Sequence, residues 1–286
     1  MNIKKLALLL LAAAMLSFVL PSCSKNPEKN TDKNSAENGI VWRGERTYID
    51  GINVDGAKEN ADNFLYHDGK VYFKTTEYTD GLEDPGGSKI VITIYFVNID
   101  GSGLTSIPII DSENEYFSNF AISSRGDIVF LDTVMDIGSG TAEYFLKTFS
   151  PEGSEISSVN ITSAVDSLED EYFYVRSIAV HESGNIYICS YSYTAAFSPD
   201  GKLIFGKKTD DYYGINRLVL SASGDIYGCV YMDGYALKKI DPLTGELGEE
   251  IKLTNTQYSY SAVPYGGAGE TEIYVDDGTA LTALDP

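Results

Sequence analysis

One short sequence pattern occurs five times in this 286-residue chain, and it restricts the possible folds more than any other feature. Each copy has a short apolar run, a tight turn that contains glycine, and a second run rich in β-branched and aromatic residues. The copies are residues 64–73, 120–130, 178–188, 218–228 and 261–275. Two such runs joined by a glycine turn predict an antiparallel β-hairpin in every copy.

A second turn follows each hairpin after a variable gap. These turns are Ile99-Asp100-Gly101-Ser102, Ser150-Pro151-Glu152-Gly153, Ser198-Pro199-Asp200-Gly201, Asp241-Pro242-Leu243-Thr244-Gly245 and the final Asp285-Pro286. Four short antiparallel strands per repeat are the building unit of a β-propeller. The sequence therefore predicts an all-β fold, a propeller of about five four-stranded blades.

The third copy is the most compact, and it serves as a template for the others. Its strands are predicted at residues 176–180, 185–193, 194–197 and 202–208. The first two copies carry glycine-rich insertions at residues 77–89 and 133–141, between their second and third strands. Insertions in repeat folds collect on loops, so we expect these segments to form longer loops on one side of the propeller.

The two ends of the repeat region leave the number of blades open. The fifth copy has three predicted strands before the sequence reaches Pro286, and residues 40–49 form a predicted strand without a partner. If this N-terminal strand completes the last blade, the ring closes and no sheet edge stays exposed. The alternative is that the sequence is a truncated part of a larger propeller.

Two copies carry a more specific resemblance. Gly184-Asn185-Ile186-Tyr187 with residues 197–202, and Gly224-Asp225-Ile226-Tyr227 with residues 240–245, resemble the NHL, gluconolactonase-like and PQQ-like propeller superfamilies. The resemblance implies the propeller fold over most of residues 60–286 and selects no subfamily. Gluconolactonase-like enzymes bind a divalent metal through a Glu, an Asn and an Asp. Those positions have no match here, so no metal site is predicted from the resemblance.

The N-terminal segment has the composition of a secretory signal. Lys4 and Lys5 precede an apolar run at residues 6–20, which is shorter than the roughly 20 residues of a membrane-spanning helix. The end of the run, Leu20-Pro21-Ser22-Cys23, resembles a bacterial lipobox. That resemblance implies a surface lipoprotein in which Cys23 carries the lipid. An ordinary cleaved signal followed by an unmodified cysteine is the alternative.

Three segments follow from this interpretation. Residues 1–22 are the predicted lipoprotein signal peptide, residues 23–39 a flexible polar tether, and residues 40–286 the β-propeller domain. The tether contains no large apolar residue, so it cannot bury enough surface to offset the entropy of ordering. We expect the protein to be secreted and anchored by its lipid to the bacterial cell membrane, facing outside the cytoplasm.

The charge of the chain excludes one class of partner. The chain has 42 acidic and 21 basic residues, a formal net charge of -21, and no basic stripe of the kind that binds nucleic acid.

Acidic clusters such as Asp80 with Glu83 and Asp84, or Asp276 with Asp277, offer oxygen ligands for Ca²⁺. Such clusters arise by chance in so acidic a chain, so no cofactor is predicted, and Ca²⁺ is the weaker alternative.

Cys189 and Cys229 occupy the same position in consecutive copies. Equivalent positions in neighbouring blades are usually farther apart than the roughly 7 Å that a disulfide allows between α-carbons. Both are therefore predicted to be small buried apolar residues.

Arg125-Gly126-Asp127 has the sequence of an integrin-binding tripeptide, but the hairpin turn needs glycine followed by Asp or Asn at this place in any case.

The tyrosines supply the candidate binding residues. Tyr187, Tyr227 and Tyr274 recur at one internal strand position, which predicts packing between blades. The candidate binding face consists of four other tyrosines near the start of an innermost strand, where a blade meets the face of the disc. They are Tyr212, Tyr213, Tyr258 and Tyr260. Exposed tyrosines at such a face can stack on sugars or peptides.

The predicted function is a non-catalytic binding or scaffold module for a glycan, peptide or partner protein at the bacterial cell surface. His67 and His181 both lie at first turns, so no catalytic set can be assembled and no catalytic residue is predicted. Two alternatives remain open. One is a metal-dependent, lactonase-like hydrolase at the propeller centre, and the other is the propeller module of a solute-uptake lipoprotein.

Overall fold

The computed structural model describes fourteen stretches of the chain. They are residues 40–43, 46–49, 52–53, 61–79, 89–98, 102–136, 138–168, 173–209, 214–220, 224–231, 235–252, 263–265, 273–276 and 281–284. The predicted signal peptide and tether, Cys23 included, lie outside these residues.

The described residues form antiparallel sheets from strands that are consecutive in sequence. The first sheet has three short strands: β1 (Ile40–Arg43), β2 (Arg46–Ile49) and β3 (Ile52–Asn53). Blade 1 follows with β4 (Ala61–His67), β5 (Lys70–Thr79), β6 (Lys89–Asn98) and β7 (Thr105–Ser112). Blade 2 has β8 (Glu115–Tyr116) and β9 (Phe120–Ile122), then β10 (Ile128–Asp136), β11 (Thr141–Phe149) and β12 (Glu155–Asn160).

A short helix, α1 (Thr162–Asp166), connects blade 2 to blade 3. Blade 3 consists of β13 (Ser177–Val180), β14 (Ile186–Cys189), β15 (Tyr193–Phe197) and β16 (Leu203–Lys208). Blade 4 consists of β17 (Arg217–Leu220), β18 (Ile226–Tyr231), β19 (Tyr235–Ile240) and β20 (Leu247–Lys252). A last three-stranded sheet has β21 (Val263–Tyr265), β22 (Ile273–Asp276) and β23 (Leu281–Leu284).

The innermost strand of each blade contacts the innermost strand of the next. The contacts run from β4 to β9, from β9 to β13, from β13 to β17 and from β17 to β21. Sheets that meet through their first strands and diverge toward their last strands radiate from a common axis, which is the arrangement of a β-propeller. The all-β propeller fold predicted from the repeats is confirmed.

The apolar core lies between the blades. One buried cluster joins blades 1 and 2, a second joins blades 2 and 3, and a third joins blades 3 and 4. Tyr187 belongs to the third cluster: its ring lies 6.2 Å from that of Phe205, and its hydroxyl donates to the carbonyl oxygen of Pro242 at 3.3 Å. Tyr227 is also buried. The predicted packing between blades is confirmed for Tyr187; for Tyr227 the structure shows burial, and the side chain of Tyr274 lies outside the described residues.

A polar side chain near the start of the innermost strand links each of blades 1, 2 and 3 to the next blade. Asn63 Nδ2 donates to the carbonyl oxygen of Phe120 at 3.3 Å, and Asn119 Nδ2 donates to those of Val175 and Arg176 at 3.2 and 2.9 Å. Ser177 Oγ accepts from the backbone N–H of Leu218 at 3.0 Å. The three side chains occupy one position of the repeat, directly before the first residue of their copies.

The predicted strand at residues 40–49 and the predicted number of blades need correction. Residues 40–49 are not a single strand, because β1 and β2 pair with each other as a hairpin and bring Val41 opposite Tyr48. The two residues between them, Gly44 and Glu45, have the length and the glycine that suit a tight hairpin. Within the described residues, β1 shares no sheet with β21–β23. Five complete four-stranded blades are therefore not confirmed: the described chain has four blades of four or five strands and two three-stranded sheets.

Two further strand boundaries differ from the expectation. The second strand of blade 3 ends at Cys189 instead of continuing to Tyr193, which begins β15. The predicted insertion loops partly continue the hairpins. β5 pairs with β6 as far as Thr79 and Lys89, and β10 pairs with β11 as far as Asp136 and Thr141. The inserted residues thus lengthen the blades as well as their connections.

Candidate ligand-binding face

Antiparallel order fixes which connections share a face of the propeller. The glycine turns between first and second strands and the turns between third and fourth strands lie at one end of the blades, which we call the lower face. The connections between second and third strands, and those between blades, lie at the other end. We call this end, where the innermost strands begin, the upper face.

Five described tyrosines gather at the upper face and come from three blades. They are Tyr78 in β5, Tyr116 in β8, Tyr144 in β11, Tyr174 before β13 and Tyr191 between β14 and β15. Burial, and then the neighbouring phenols of Tyr174, Tyr144 and Tyr78, raise the pKa of Tyr116. Burial is also the main cause of the raised pKa of Tyr174, followed by Tyr191, Asp62 and Tyr78. We call these five residues at the upper face the tyrosine cluster.

Of the two cluster tyrosines on blade 3, Tyr191 is the more exposed. Its side chain is 60% exposed, and its ring centroid lies 5.8 Å from that of Tyr174 with an interplanar angle of 31°. The Arg176 guanidinium carbon lies 4.6 Å from the Tyr191 ring centroid, in a cation–π contact. Two adjacent rings and a guanidinium thus form a platform, which we call the Tyr174–Tyr191 platform.

Hydrogen bonds to the Ser190 side chain and one backbone bond hold Tyr191 in a tight turn. Ser190 Oγ accepts from the backbone N–H groups of Ser192 and Tyr193, at 3.2 and 3.0 Å. The backbone N–H of Thr209 donates to the carbonyl oxygen of Ser192 at 2.8 Å. These bonds end β14 and direct the turn away from the blade, which explains why Tyr191 is exposed although both flanking strands are buried.

The other half of the platform is held from blade 2. Ser118 Oγ donates to the carbonyl oxygen of Val175, and Asn119 donates to the same oxygen and to that of Arg176. The backbone N–H of Arg176 donates to the carbonyl oxygen of Cys189 at 2.8 Å. Tyr174 and Arg176 are therefore fixed by two blades, and their positions depend on the contact between those blades.

An ion pair lies beside the cluster on blade 1. Lys74 Nζ lies 2.7 Å from one carboxylate oxygen of Asp62 and 3.0 Å from the other. Lys74 is buried, whereas Asp62 is exposed and raises the pKa of Tyr78 after the larger effect of burial. The charge of this lysine is compensated within the protein.

The four tyrosines predicted from sequence, Tyr212, Tyr213, Tyr258 and Tyr260, lie outside the described residues. The strand register shows which described residues occupy the same place in their copies. Ala121, Ala179 and Tyr265 pair with Val129, Tyr187 and Tyr274, so they are equivalent positions. Counting back five residues from each gives Tyr116, Tyr174 and Tyr260. Sequence reasoning missed Tyr116 and Tyr174. Their equal spacing from the turn glycines Gly126 and Gly184 relates them to each other, but only the strand register relates them to Tyr260, because the fifth copy has a longer connection between its first two strands.

The remaining sequence candidates have structural roles. Asp127 is buried, and its carboxylate accepts from Arg125 Nε at 3.0 Å and from Ser123 Oγ at 3.2 Å, so the tripeptide is bound within its own turn. Cys189 and Cys229 are free and buried, and burial raises the pKa of each thiol to about 12. They are small core residues, as predicted.

Metal binding finds no support in the described part of the chain. No group of three or more His, Cys, Asp or Glu side chains there could hold a metal ion. The cluster of Asp80, Glu83 and Asp84 and the side chains of Asp276 and Asp277 lie outside the described residues. His67 and His181 both lie at the lower face, on the side of the propeller away from the tyrosine cluster.

A buried ion pair lies between blades 1 and 2. Lys147 Nζ lies 2.6 Å from Asp132 Oδ2 and 3.8 Å from Glu115 Oε2, and the Asp132 side chain is fully buried. Burial raises the pKa of Asp132 above its ordinary value, although Lys147 acts in the opposite direction. Phe130 of the apolar cluster between blades 1 and 2 lies opposite Lys147 in the strand register, so the pair belongs to the packed side of blade 2 that faces this cluster.

Among the described residues, no helix is both long enough and apolar enough to span a bilayer.

Comparisons with known proteins place the chain in no family. It matches no protein-family model and no curated protein sequence. Among solved structures, Myxococcus xanthus glutaminyl cyclase is 13% identical over 79% of this chain and 91% of its own, with a TM-score of 0.44. A puromycin hydrolase is 15% identical over 76% of this chain and 32% of its own, with a TM-score of 0.45. The Neurospora crassa Pan2 WD40 domain is 12% identical over 79% of this chain and 65% of its own, just under two thirds, with a TM-score of 0.41. The propeller assignment rests on the sheets and contacts described above.

The ion pair between Asp132 and Lys147 can be tested by mutation. Replacing Lys147→Met leaves the Asp132 carboxylate buried without its cation, which is expected to cost about 3–5 kcal/mol of unfolding free energy at pH 7. Lys147 lowers the pKa of Asp132 against the larger effect of burial, so its removal raises the folded-state pKa of Asp132 further above that of the unfolded state. The loss should therefore shrink as the pH falls from 7 toward that pKa. Urea denaturation of both proteins between pH 5 and 7 measures it.

The double variant Asp132→Asn with Lys147→Met serves as the control, because it removes both charges. It should recover much of the lost stability and show little pH dependence of the difference. A pH-independent deficit in the single variant would contradict the account.

Proposed function

We propose that the protein is a non-catalytic ligand-binding β-propeller that a lipid on Cys23 holds outside the cytoplasm, and that the tyrosine cluster is its binding surface. The observation that supports the proposal most is the convergence of five tyrosines from three blades on one face, with Tyr78 and Tyr191 61% and 60% exposed. Tyr191 also contacts the ring of Tyr174, and exposed aromatic side chains are enriched at recognition sites.

The chemistry of tyrosine suits recognition without catalysis. Each ring offers a flat apolar surface and a hydroxyl that can donate or accept, and it has few rotatable bonds to immobilise on binding. Side chain–backbone hydrogen bonds of Asn119 and Ser190 hold the backbone next to Tyr174 and Tyr191, so little ordering remains to oppose affinity. The two histidines lie on the other face, so they are not available to a ligand on the cluster.

The blade count belongs to the same proposal. We infer that β21–β23 form the inner part of a fifth blade, because β21 contacts β17 as β17 contacts β13. The fourth strand of that blade remains unassigned, since β1 pairs with β2 instead. The closer relation to NHL-like, gluconolactonase-like or PQQ-like repeats is likewise an interpretation of the repeat sequence.

The location can be tested through Cys23. Growing a bacterial host that expresses the full chain with an alkyne-labelled fatty acid should label the wild-type protein and leave the Cys23→Ala variant unlabelled. Cell fractionation should find the wild type in the membrane fraction. An unlabelled wild type that is released into the medium would overturn the anchor and leave the binding surface as a separate question.

The binding role can be tested with the full chain carrying Cys23→Ala, applied to glycan and peptide arrays. Replacing Tyr191→Ala should weaken binding to any hit by about tenfold, because a central aromatic contact contributes more than about 1 kcal/mol. Leu243→Ala is the matched control, since Leu243 is 70% exposed in a turn of the lower face. Unchanged binding by a folded Tyr191→Ala variant would contradict the proposal.

A further inference from the structure

The guanidinium of Arg176 forms no ion pair with a carboxylate of the described residues. Lys74 is paired with Asp62, and Lys147 with Asp132, at 2.7 and 2.6 Å. Among the described residues, by contrast, the Arg176 guanidinium has no carboxylate within ion-pair distance, and its side-chain contact is the ring of Tyr191. Lys70 also has no described carboxylate within ion-pair distance, and its Nζ lies 5.1 Å from the Phe96 ring centroid, but it lies at the lower face, whereas Arg176 lies at the upper face beside the exposed ring of Tyr191.

Hydrogen bonds from both of its neighbouring segments fix the backbone of Arg176, as they do for the two tyrosines. Asn119 Nδ2 of blade 2 donates to the Arg176 carbonyl oxygen at 2.9 Å. The backbone N–H of Arg176 donates to the Cys189 carbonyl oxygen at 2.8 Å. The backbone is therefore fixed while the guanidinium stacks on an exposed ring. A guanidinium keeps its in-plane N–H donors free when an aromatic ring covers its face, so it can still bind a carboxylate.

We infer that the Tyr174–Tyr191 platform takes a saccharide that carries a carboxylate, with the sugar ring on Tyr191 and the carboxylate on Arg176. The inference rests on the proposed function. The C–H face of a sugar ring is apolar and flat enough to stack on an aromatic ring, whereas the ring hydroxyls need polar partners at its edge. Tyr174 and Tyr191 supply the flat surface together with phenolic hydroxyls.

The net charge limits the ligand further. A formal charge of -21 repels a densely charged polyanion, and the depression on blade 2 lined by Glu113, Asp136 and Glu143 adds no cation. One guanidinium suits one carboxylate. The ligand class is therefore an oligosaccharide with an isolated acidic sugar, such as a terminal uronic or sialic acid, rather than a continuous polyuronate.

The test uses calorimetry on the full chain carrying Cys23→Ala. The probes are oligosaccharides that end in glucuronate, galacturonate or N-acetylneuraminate, each paired with its own carboxyl methyl ester. The ester keeps the shape of the sugar and removes only the charge. At least one acid should bind about tenfold or more tightly than its ester, because a hydrogen bond to a charged group is worth that much. The preference should fall as the salt concentration rises.

Two variants assign the preference to Arg176. Arg176→Met keeps the length of the side chain and removes its charge, so the acid should bind no better than the ester. Arg176→Lys should retain part of the preference, because lysine keeps the charge but loses the planar donors. Thermal melts of both variants confirm that they fold.

The outcomes separate the two proposals. Equal binding of acid and ester, an acid preference that survives in Arg176→Met, or no binding of any acid would overturn the inference. Neutral sugars or peptides that bind the wild type and are lost in Tyr191→Ala would overturn the acidic saccharide and leave the binding surface standing. Peptides that bind only with a free C-terminal carboxylate would assign Arg176 to a peptide instead. No Tyr191-dependent binding of any probe would overturn both proposals.

Discussion

The structure depends on a polar side chain near the start of three innermost strands, which forms a hydrogen bond with the next blade. Asn63, Asn119 and Ser177 fill this position and reach Phe120, Val175 with Arg176, and Leu218. Apolar packing between blades supplies most of the favourable free energy, but it is non-directional and would tolerate sliding. A directed hydrogen bond near the axis fixes the register between blades, because a shifted blade would leave a buried carbonyl unsatisfied.

This register produces the candidate site. Tyr116 and Tyr174 occupy the same position of their copies, so the relation between blades places them side by side on the upper face. Asn119 bonds the peptides on both sides of Val175, and it thereby sets Tyr174 and Arg176 against Tyr191 of the following connection. The platform is thus an outcome of repeat geometry plus one local turn, which Ser190 closes through its side chain. The same turn separates the exposed ring from the buried strands beside it.

Much of the fold could be predicted from the sequence, because turn residues and alternating apolar runs are local signals. Gly201 and Gly245 have φ angles of +79° and +71°, as the predicted turns require. Three features could not be read locally. The hairpin at residues 40–49 depends on which partner a strand finds, and the end of β14 depends on the Ser190 side chain. Tyr116 and Tyr174 required the strand register, since insertions of different length hide their equivalence to Tyr260.

Hydroxyl-radical footprinting of the full chain with the pooled carboxylated oligosaccharides tests whether the tyrosine cluster is the binding surface. The account predicts that Tyr78, Tyr174 and Tyr191 are oxidised more slowly when the pool is present, and that the pooled methyl esters protect them less. Exposed Leu243 and Leu247 at the lower face should react at the same rate in both cases. Protection at these leucines, or no protection of the tyrosines, would contradict a binding surface built from the first three blades.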